Sequence, residues 1–88
     1  MAQNEKMILY GRVGCHHCEQ LQFALDLMKM RGQPPGLDDY QYIDIDSEPT
    51  LRDKYDHSVP VLVYGERVIC EGAFDIEKLA EDLKSSFA

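Results

Sequence analysis

The sequence predicts an α/β domain of order βαβαββα, a mixed four-stranded sheet flanked by three helices. Three observations predict it. A short apolar run, Met7-Ile8-Leu9-Tyr10, stops at Gly11, and a helical pattern begins at Cys15, the opening of a βαβ unit. Two apolar runs meet at Gly65-Glu66, which reads as a hairpin. An amphipathic stretch behind Asp75 closes the chain.

Each element follows from its residues. The first run is too short for a helix and reads as a buried strand. In the following helix Glu19, Gln22, Asp26 and Lys29 form one polar stripe. Leu21, Ala24, Leu25 and Met28 line one flank and Phe23, Leu27 and Met30 the other, a wide apolar face suited to packing on a sheet. Gly32 and Pro34-Pro35-Gly36 end that helix. Residues 40–46 alternate as a second strand, through Tyr40, Tyr42, Ile43 and Ile45. Asp46 or Ser47 caps a short helix with Pro49 in its first turn and Leu51 and Tyr55 facing inward. Residues 60–64 and 67–70 form the hairpin, and glycine in the first turn position fits a type II′ turn. Asp75 caps the last helix, with Ile76, Leu79, Ala80, Leu83 and Phe87 on one face. The first two strands are expected parallel, through a right-handed crossover, and the hairpin antiparallel.

The chain of 88 residues is one domain, 1–88, because domains usually run to roughly 100–150 residues. Sixteen acidic residues against nine Lys and Arg give a net charge of −7, which repels phosphate backbones and argues against nucleic-acid binding. No apolar run approaches the ~20 residues of a membrane helix. The polar start leads directly into the first strand and does not read as a secretory signal. Three cysteines are too few for a disulfide scaffold. A cytoplasmic, monomeric protein is the expectation, and paired cysteines in a reducing cytosol are usually catalytic or metal-binding.

Cys15-His16-His17-Cys18 carries the chemistry. A three-residue step at the start of a helix puts two sulfurs on one face. First-turn N–H groups and the helix dipole favour a thiolate at Cys15, which makes it the nucleophile. Cys18, one turn further in, is the shielded thiol that resolves a mixed disulfide. His16 and His17 can add positive charge near the thiolate when protonated. Four consecutive ligands cannot wrap one tetrahedral ion, and a closed zinc site would need a second pair such as His57 and Cys70, so no dedicated metal is expected. Cys70 reads as a small apolar filler at the end of the last strand, His57 as a loop residue, and the tyrosines at 10, 40, 42, 55 and 64 as sheet and core packing.

With these residues in place, the chain resembles the glutaredoxin branch of the thioredoxin-fold superfamily. Residues 10–18 look like the strand, loop and active site of dithiol glutaredoxins, with His-His where Pro-Tyr is usual. Ser58-Val59-Pro60 looks like the superfamily's Thr-Val-Pro segment, and Gly72-Ala73-Phe74-Asp75 like the turn that opens its last helix. A group of small, mostly bacterial glutaredoxin-like proteins shares the Cys-x-x-Cys start, the Val-Pro-Val-Leu strand and the Glu-Gly-x-Phe-Asp segment found here.

The resemblance implies a thioredoxin-like, glutaredoxin-type fold and a thiol–disulfide oxidoreductase. It implies a cis Val59–Pro60 bond whose backbone receives an extended substrate like an added strand. It implies protein or glutathione mixed disulfides as substrates, and glutathione or thioredoxin reductase as the reductant, with no tightly bound cofactor. Arg12 matches by position the basic residue that holds a glutathione carboxylate, and Gly72 and Asp75 part of the second carboxylate site. Glu71 stands where the family has a glycine, so weak or absent glutathione binding is expected from its charge and its Cβ. The readings left in competition are a metal-binding protein and a non-catalytic thioredoxin-fold interaction module, which would have no need of two aligned thiols.

Overall fold

The computed structural model describes residues 6–32 and 40–87. The expected stop at Pro34-Pro35-Gly36 and the side chain of Phe87 lie outside the described residues. The elements are β1 (Met7–Gly11), α1 (His16–Arg31), β2 (Gln41–Asp44), a 3₁₀ turn (Ile45–Ser47), α2 (Pro49–Tyr55), β3 (Val61–Tyr64), β4 (Arg67–Glu71) and α3 (Ile76–Phe87). The sheet order is β2-β1-β3-β4. β1 pairs parallel with β2 and antiparallel with β3, and β3 antiparallel with β4. The fold is the mixed α/β arrangement that the sequence predicts, of thioredoxin-like type.

Strand β1 shows why the sheet has two unlike faces. Met7, Leu9 and Gly11 are buried and Ile8 and Tyr10 only half-buried, the two-residue period of a pleated strand. Met7 and Leu9 join Leu21 and Leu25 of α1, Leu62 of β3, and Leu79 and Leu83 of α3 in one core. On the other face Tyr10 stacks on Tyr55 of α2, ring centroids 4.6 Å apart. So α1 and α3 cover one face and the short α2 the other.

Local sequence sets the ends of the elements. Gly32 takes φ +66° and donates its N–H to the Lys29 carbonyl at 3.1 Å, closing α1 where the sequence places its stop. Gly65 has φ +63° and Glu66 does not, which excludes a type I′ turn and fits the expected II′. Asp75 caps α3 through Oδ1, which accepts the Glu77 N–H at 2.9 Å.

Four expectations are corrected. Phe23 and Met30 are 69% and 83% exposed, so α1 buries one flank and not two. Ile76 likewise stays exposed at the start of α3. The second strand stops at Asp44, because the Asp44 carboxylate accepts the Asp46 N–H at 2.9 Å and turns the chain into the 3₁₀ turn that buries Ile45. Neither Asp46 nor Ser47 caps α2. Its N-cap is Glu48, which makes no side-chain capping bond, and Pro49 in the first turn supplies the fixed φ that starts the helix. Among the described residues, no helix is long and apolar enough to cross a membrane.

Candidate active site

Cys15 is the N-cap of α1, in extended conformation, with its sulfur accepting the Cys18 N–H at 3.1 Å. The preceding loop holds it from behind, since the Cys15 N–H donates to the Arg12 carbonyl at 3.3 Å. Cys15 and Cys18 are joined as a disulfide, with Cα atoms 5.2 Å apart. The two differ sharply in access. Cys15 is partly exposed, whereas Cys18 is 1% exposed and sits over β1. A first-turn N–H aimed at the Cys15 sulfur is a donor placed to stabilise negative charge there once the disulfide opens.

His16 and His17 are exposed, and both engage the Gln20 side chain, at 3.2 and 3.4 Å. They flank the cysteines on the solvent side of the first turn. His57 is also solvent-facing, its side chain 96% exposed beside Asp56. Among the described residues no group of three or more His, Cys, Asp or Glu is arranged to hold a metal ion.

Arg12, expected to hold a glutathione carboxylate, is engaged by carboxylates of the chain itself. Its guanidinium takes Asp46 at two points, Nη2 to Oδ1 at 2.7 Å and Nε to Oδ2 at 3.2 Å, and Asp56 Oδ1 through Nη1 at 2.8 Å. Arg52 adds a further contact to Asp46 at 3.1 Å. The Arg12 pKa is raised by these hydrogen bonds, Asp46 first, and the Asp46 carboxyl is held below its usual range chiefly by the Arg12 hydrogen bond. Arg12 therefore ties the loop before Cys15 to the 3₁₀ turn and to the end of α2. A ligand carboxylate would have to displace a carboxylate already in place.

Gly72 and Asp75, expected at the second carboxylate site, likewise have partners within the chain. The Gly72 N–H donates to both the Pro60 carbonyl, at 2.8 Å, and the Ser58 carbonyl, at 3.0 Å. Asp75 is occupied as the cap of α3. The Val59–Pro60 bond is cis, as the resemblance implies. The Val59 N–H, however, is directed at the Tyr55 carbonyl at 3.3 Å, so an added strand would find it already partnered.

Two residues beside the site were not foreseen. Gly11 and Tyr42 share the ground next to Cys18. A Cβ on Gly11 would lie 2.7 Å from the Tyr42 hydroxyl and 3.3 Å from the Cys18 Cβ. The absent side chain of Gly11 is thus what lets the tyrosine and the buried cysteine approach. Cys70 lies away from this centre, partly buried and free. It borders a cleft of about 250 Å³ with Phe74, Lys78 and Asp82. Burial pushes its thiol pKa up to about 11, the environment of an unreactive thiol and in keeping with its reading as a filler.

A family model described as Glutaredoxin-like domain (DUF836) matches residues 6–84. The chain belongs to this glutaredoxin-like family. No curated protein sequence matches it significantly. Among solved structures, a structural-genomics target protein from X. campestris is similar over 90% of this chain and 96% of its own, at 29% identity and a TM-score of 0.73. The glutaredoxin grx-1 from Archaeoglobus fulgidus is similar over 92% of this chain and 88% of its own, at 27% identity and a TM-score of 0.61. A protein from Nitrosomonas europaea solved by NMR shares the fold over 96% of this chain and 92% of its own, at 24% identity and a TM-score of 0.71.

Proposed function

We propose that the chain is a dithiol thiol–disulfide oxidoreductase that works in a reducing compartment such as the cytoplasm. The Cys15 thiolate attacks one sulfur of a substrate disulfide. The substrate S–S bond breaks, a Cys15–substrate bond forms, and one substrate thiolate leaves. The Cys18 thiolate then attacks the Cys15 sulfur and displaces the second substrate thiolate. The dithiol has given up two electrons and is left as the Cys15–Cys18 disulfide, which an external thiol or thioredoxin reductase returns to the dithiol. The observation that carries this reading is the unequal pair at the start of α1, with a reachable sulfur at the N-cap and a shielded one a turn below.

The preferred substrates in this reading are mixed disulfides that bring no carboxylate to the loop, protein disulfides among them. Two occupied groups support this: the Arg12 guanidinium on Asp46 and Asp56, and the Gly72 N–H on Ser58 and Pro60. Docking then rests on the exposed Val13 side chain in the loop before Cys15 and on side-chain contact at the cis Val59–Pro60 segment, not on the occupied Val59 N–H, with the monomer sufficient. The test is reduction of a protein disulfide and of a glutathione mixed disulfide, each with glutathione and with thioredoxin reductase as electron donor. Faster turnover of the protein disulfide is expected. Absence of turnover with either substrate and either donor overturns the reading.

A further inference from the structure

Three features stand outside the cysteine pair. The cleft beside Cys70 offers a lone, deeply protonated thiol. The stripe of Phe23, Leu27 and Met30 on α1 is apolar but has no indicated occupant. The Tyr42 hydroxyl and the Cys18 side chain both border the space over Gly11, next to the reacting groups.

Tyr42 stands opposite Leu9 in the β1–β2 ladder, so its side chain rises on the face covered by α1. The residue is 38% exposed, yet its hydroxyl end is tucked over Gly11, at the same small space that the Cys18 Cβ borders. Among the described residues the hydroxyl meets no hydrogen-bond acceptor, while the other side chain at that space carries the resolving sulfur. In the disulfide state that sulfur is a poor acceptor. On reduction it becomes a thiolate in a shielded place, where a charge without a donor is costly.

We infer that the Tyr42 hydroxyl is the hydrogen-bond donor to the Cys18 sulfur when the disulfide opens. This rests on the proposed dithiol reaction and deepens it. When an external thiolate attacks Cys15, the Cys15–Cys18 bond breaks and its electron pair goes to the Cys18 sulfur, which Tyr42 receives with its O–H. In the reverse direction the same bond holds the Cys18 thiolate in place until it attacks the Cys15 sulfur and expels the substrate thiolate. The tyrosine keeps its proton throughout and transfers no electrons.

The surroundings agree with that role. Burial, then the charges of Asp44 on its own strand and Glu19 on α1, raise the Tyr42 pKa, so the hydroxyl keeps its proton near neutral pH. Those two carboxylates are the charges felt there. β1 contributes no charge at this point, because Gly11 has no side chain, and His16 and His17 turn outward to Gln20.

The test uses Tyr42→Phe, which removes only the oxygen and keeps the ring over Gly11, in a Cys70→Ala background so that two thiols react. The reduced protein is mixed with the aryl disulfide DTNB and the two releases of thionitrobenzoate are followed. The first reports attack by Cys15, and the second reports displacement by Cys18. Tyr42→Phe is expected to slow the second release about tenfold, the loss of one hydrogen bond to a charged group. It should also move the pH midpoint of that release upward and leave the first release unchanged. An unchanged second release, or equal slowing of both, overturns the inference while the dithiol reading stands. Failure of the unsubstituted protein to give any second release overturns the dithiol reading itself.

Discussion

Arg12 holds Asp46 by two parallel hydrogen bonds, Nη2 to Oδ1 at 2.7 Å and Nε to Oδ2 at 3.2 Å. The geometry is the forked contact that a guanidinium and a carboxylate form best. It joins positions 34 residues apart and fixes the backbone whose carbonyl receives the Cys15 N–H. Together with Asp56 it neutralises the cation in the loop before Cys15.

Releasing that cation should change substrate preference. Asp46→Asn combined with Asp56→Asn removes both negative charges from Arg12. The apparent affinity for glutathione in a coupled turnover assay is expected to rise severalfold, and the gain to shrink with added salt as the attraction is screened. Glu71→Gly alone should give less, because the Gly72 N–H remains bonded to the Ser58 and Pro60 carbonyls. An equal gain from Glu71→Gly would show that charge at that turn, and not the Arg12 clamp, sets the preference.

The same contact gives acid sensitivity. The folded Asp46 carboxyl titrates below its unfolded value, chiefly through the Arg12 hydrogen bond. The folded state therefore binds fewer protons there than the unfolded state. Its stabilisation is present above the unfolded carboxyl pKa and is lost as pH falls through the folded one. Thermal melts should show a decline on the acid side that is weaker in Asp46→Asn.

The two cysteines should differ in reactivity. Cys15 is reachable and accepts an N–H, whereas Cys18 is buried. Cys15→Ser should abolish disulfide reduction, and Cys18→Ser should accumulate a mixed disulfide on Cys15. Alkylation of the reduced protein near neutral pH, read by peptide mass, should label Cys15 first. Equal labelling would remove the basis for assigning nucleophile and resolver.

The elements and the cysteine pair were legible because their signals are local. The step from Cys15 to Cys18, the Gly65-Glu66 turn and the Asp75 cap each lie within one turn of chain. The Arg12 clamp was not legible, because its acids lie at 46 and 56 and nothing near Arg12 singles them out. Tyr42 read as sheet packing, since its place over Gly11 beside the Cys18 side chain depends on the parallel register with β1 and on the gap left by the glycine. Ile45 alternates correctly for a strand and was lost from it only because Asp44 bends the chain. The exposure of Phe23 and Met30 shows a further limit: periodicity reveals an apolar flank but not whether anything covers it.

The cap of α3 gives a stability test remote from the chemistry. Asp75 Oδ1 accepts the Glu77 N–H at 2.9 Å, and α3 supplies Leu79 and Leu83 to the core. Asp75→Ala should cost about 1 kcal/mol. Leu83→Ala should cost more, about 2–5 kcal/mol, through lost burial and a residual cavity. Chemical denaturation of the reduced protein checks the order of the two.

Cys70 adds an alkaline limit. Its thiol is raised to about 11 from the ordinary 9.0, first by burial and then by the charges of Asp82 and Glu71. The folded state holds this proton over a range in which the unfolded chain has released it. The stabilisation is therefore complete below the unfolded pKa and is lost as pH rises from there through the folded value. The loss should amount to roughly 1–2 kcal/mol, because the partial exposure of the residue reduces the full effect. Denaturation midpoints measured on the reduced protein between these two values should fall with rising pH, and Cys70→Ala should flatten that fall. Because Cys70 stands apart from Cys15 and Cys18, the substitution should leave disulfide reduction near neutral pH unchanged. A loss of turnover in Cys70→Ala with an unchanged melting curve would mean that this thiol takes part in the exchange.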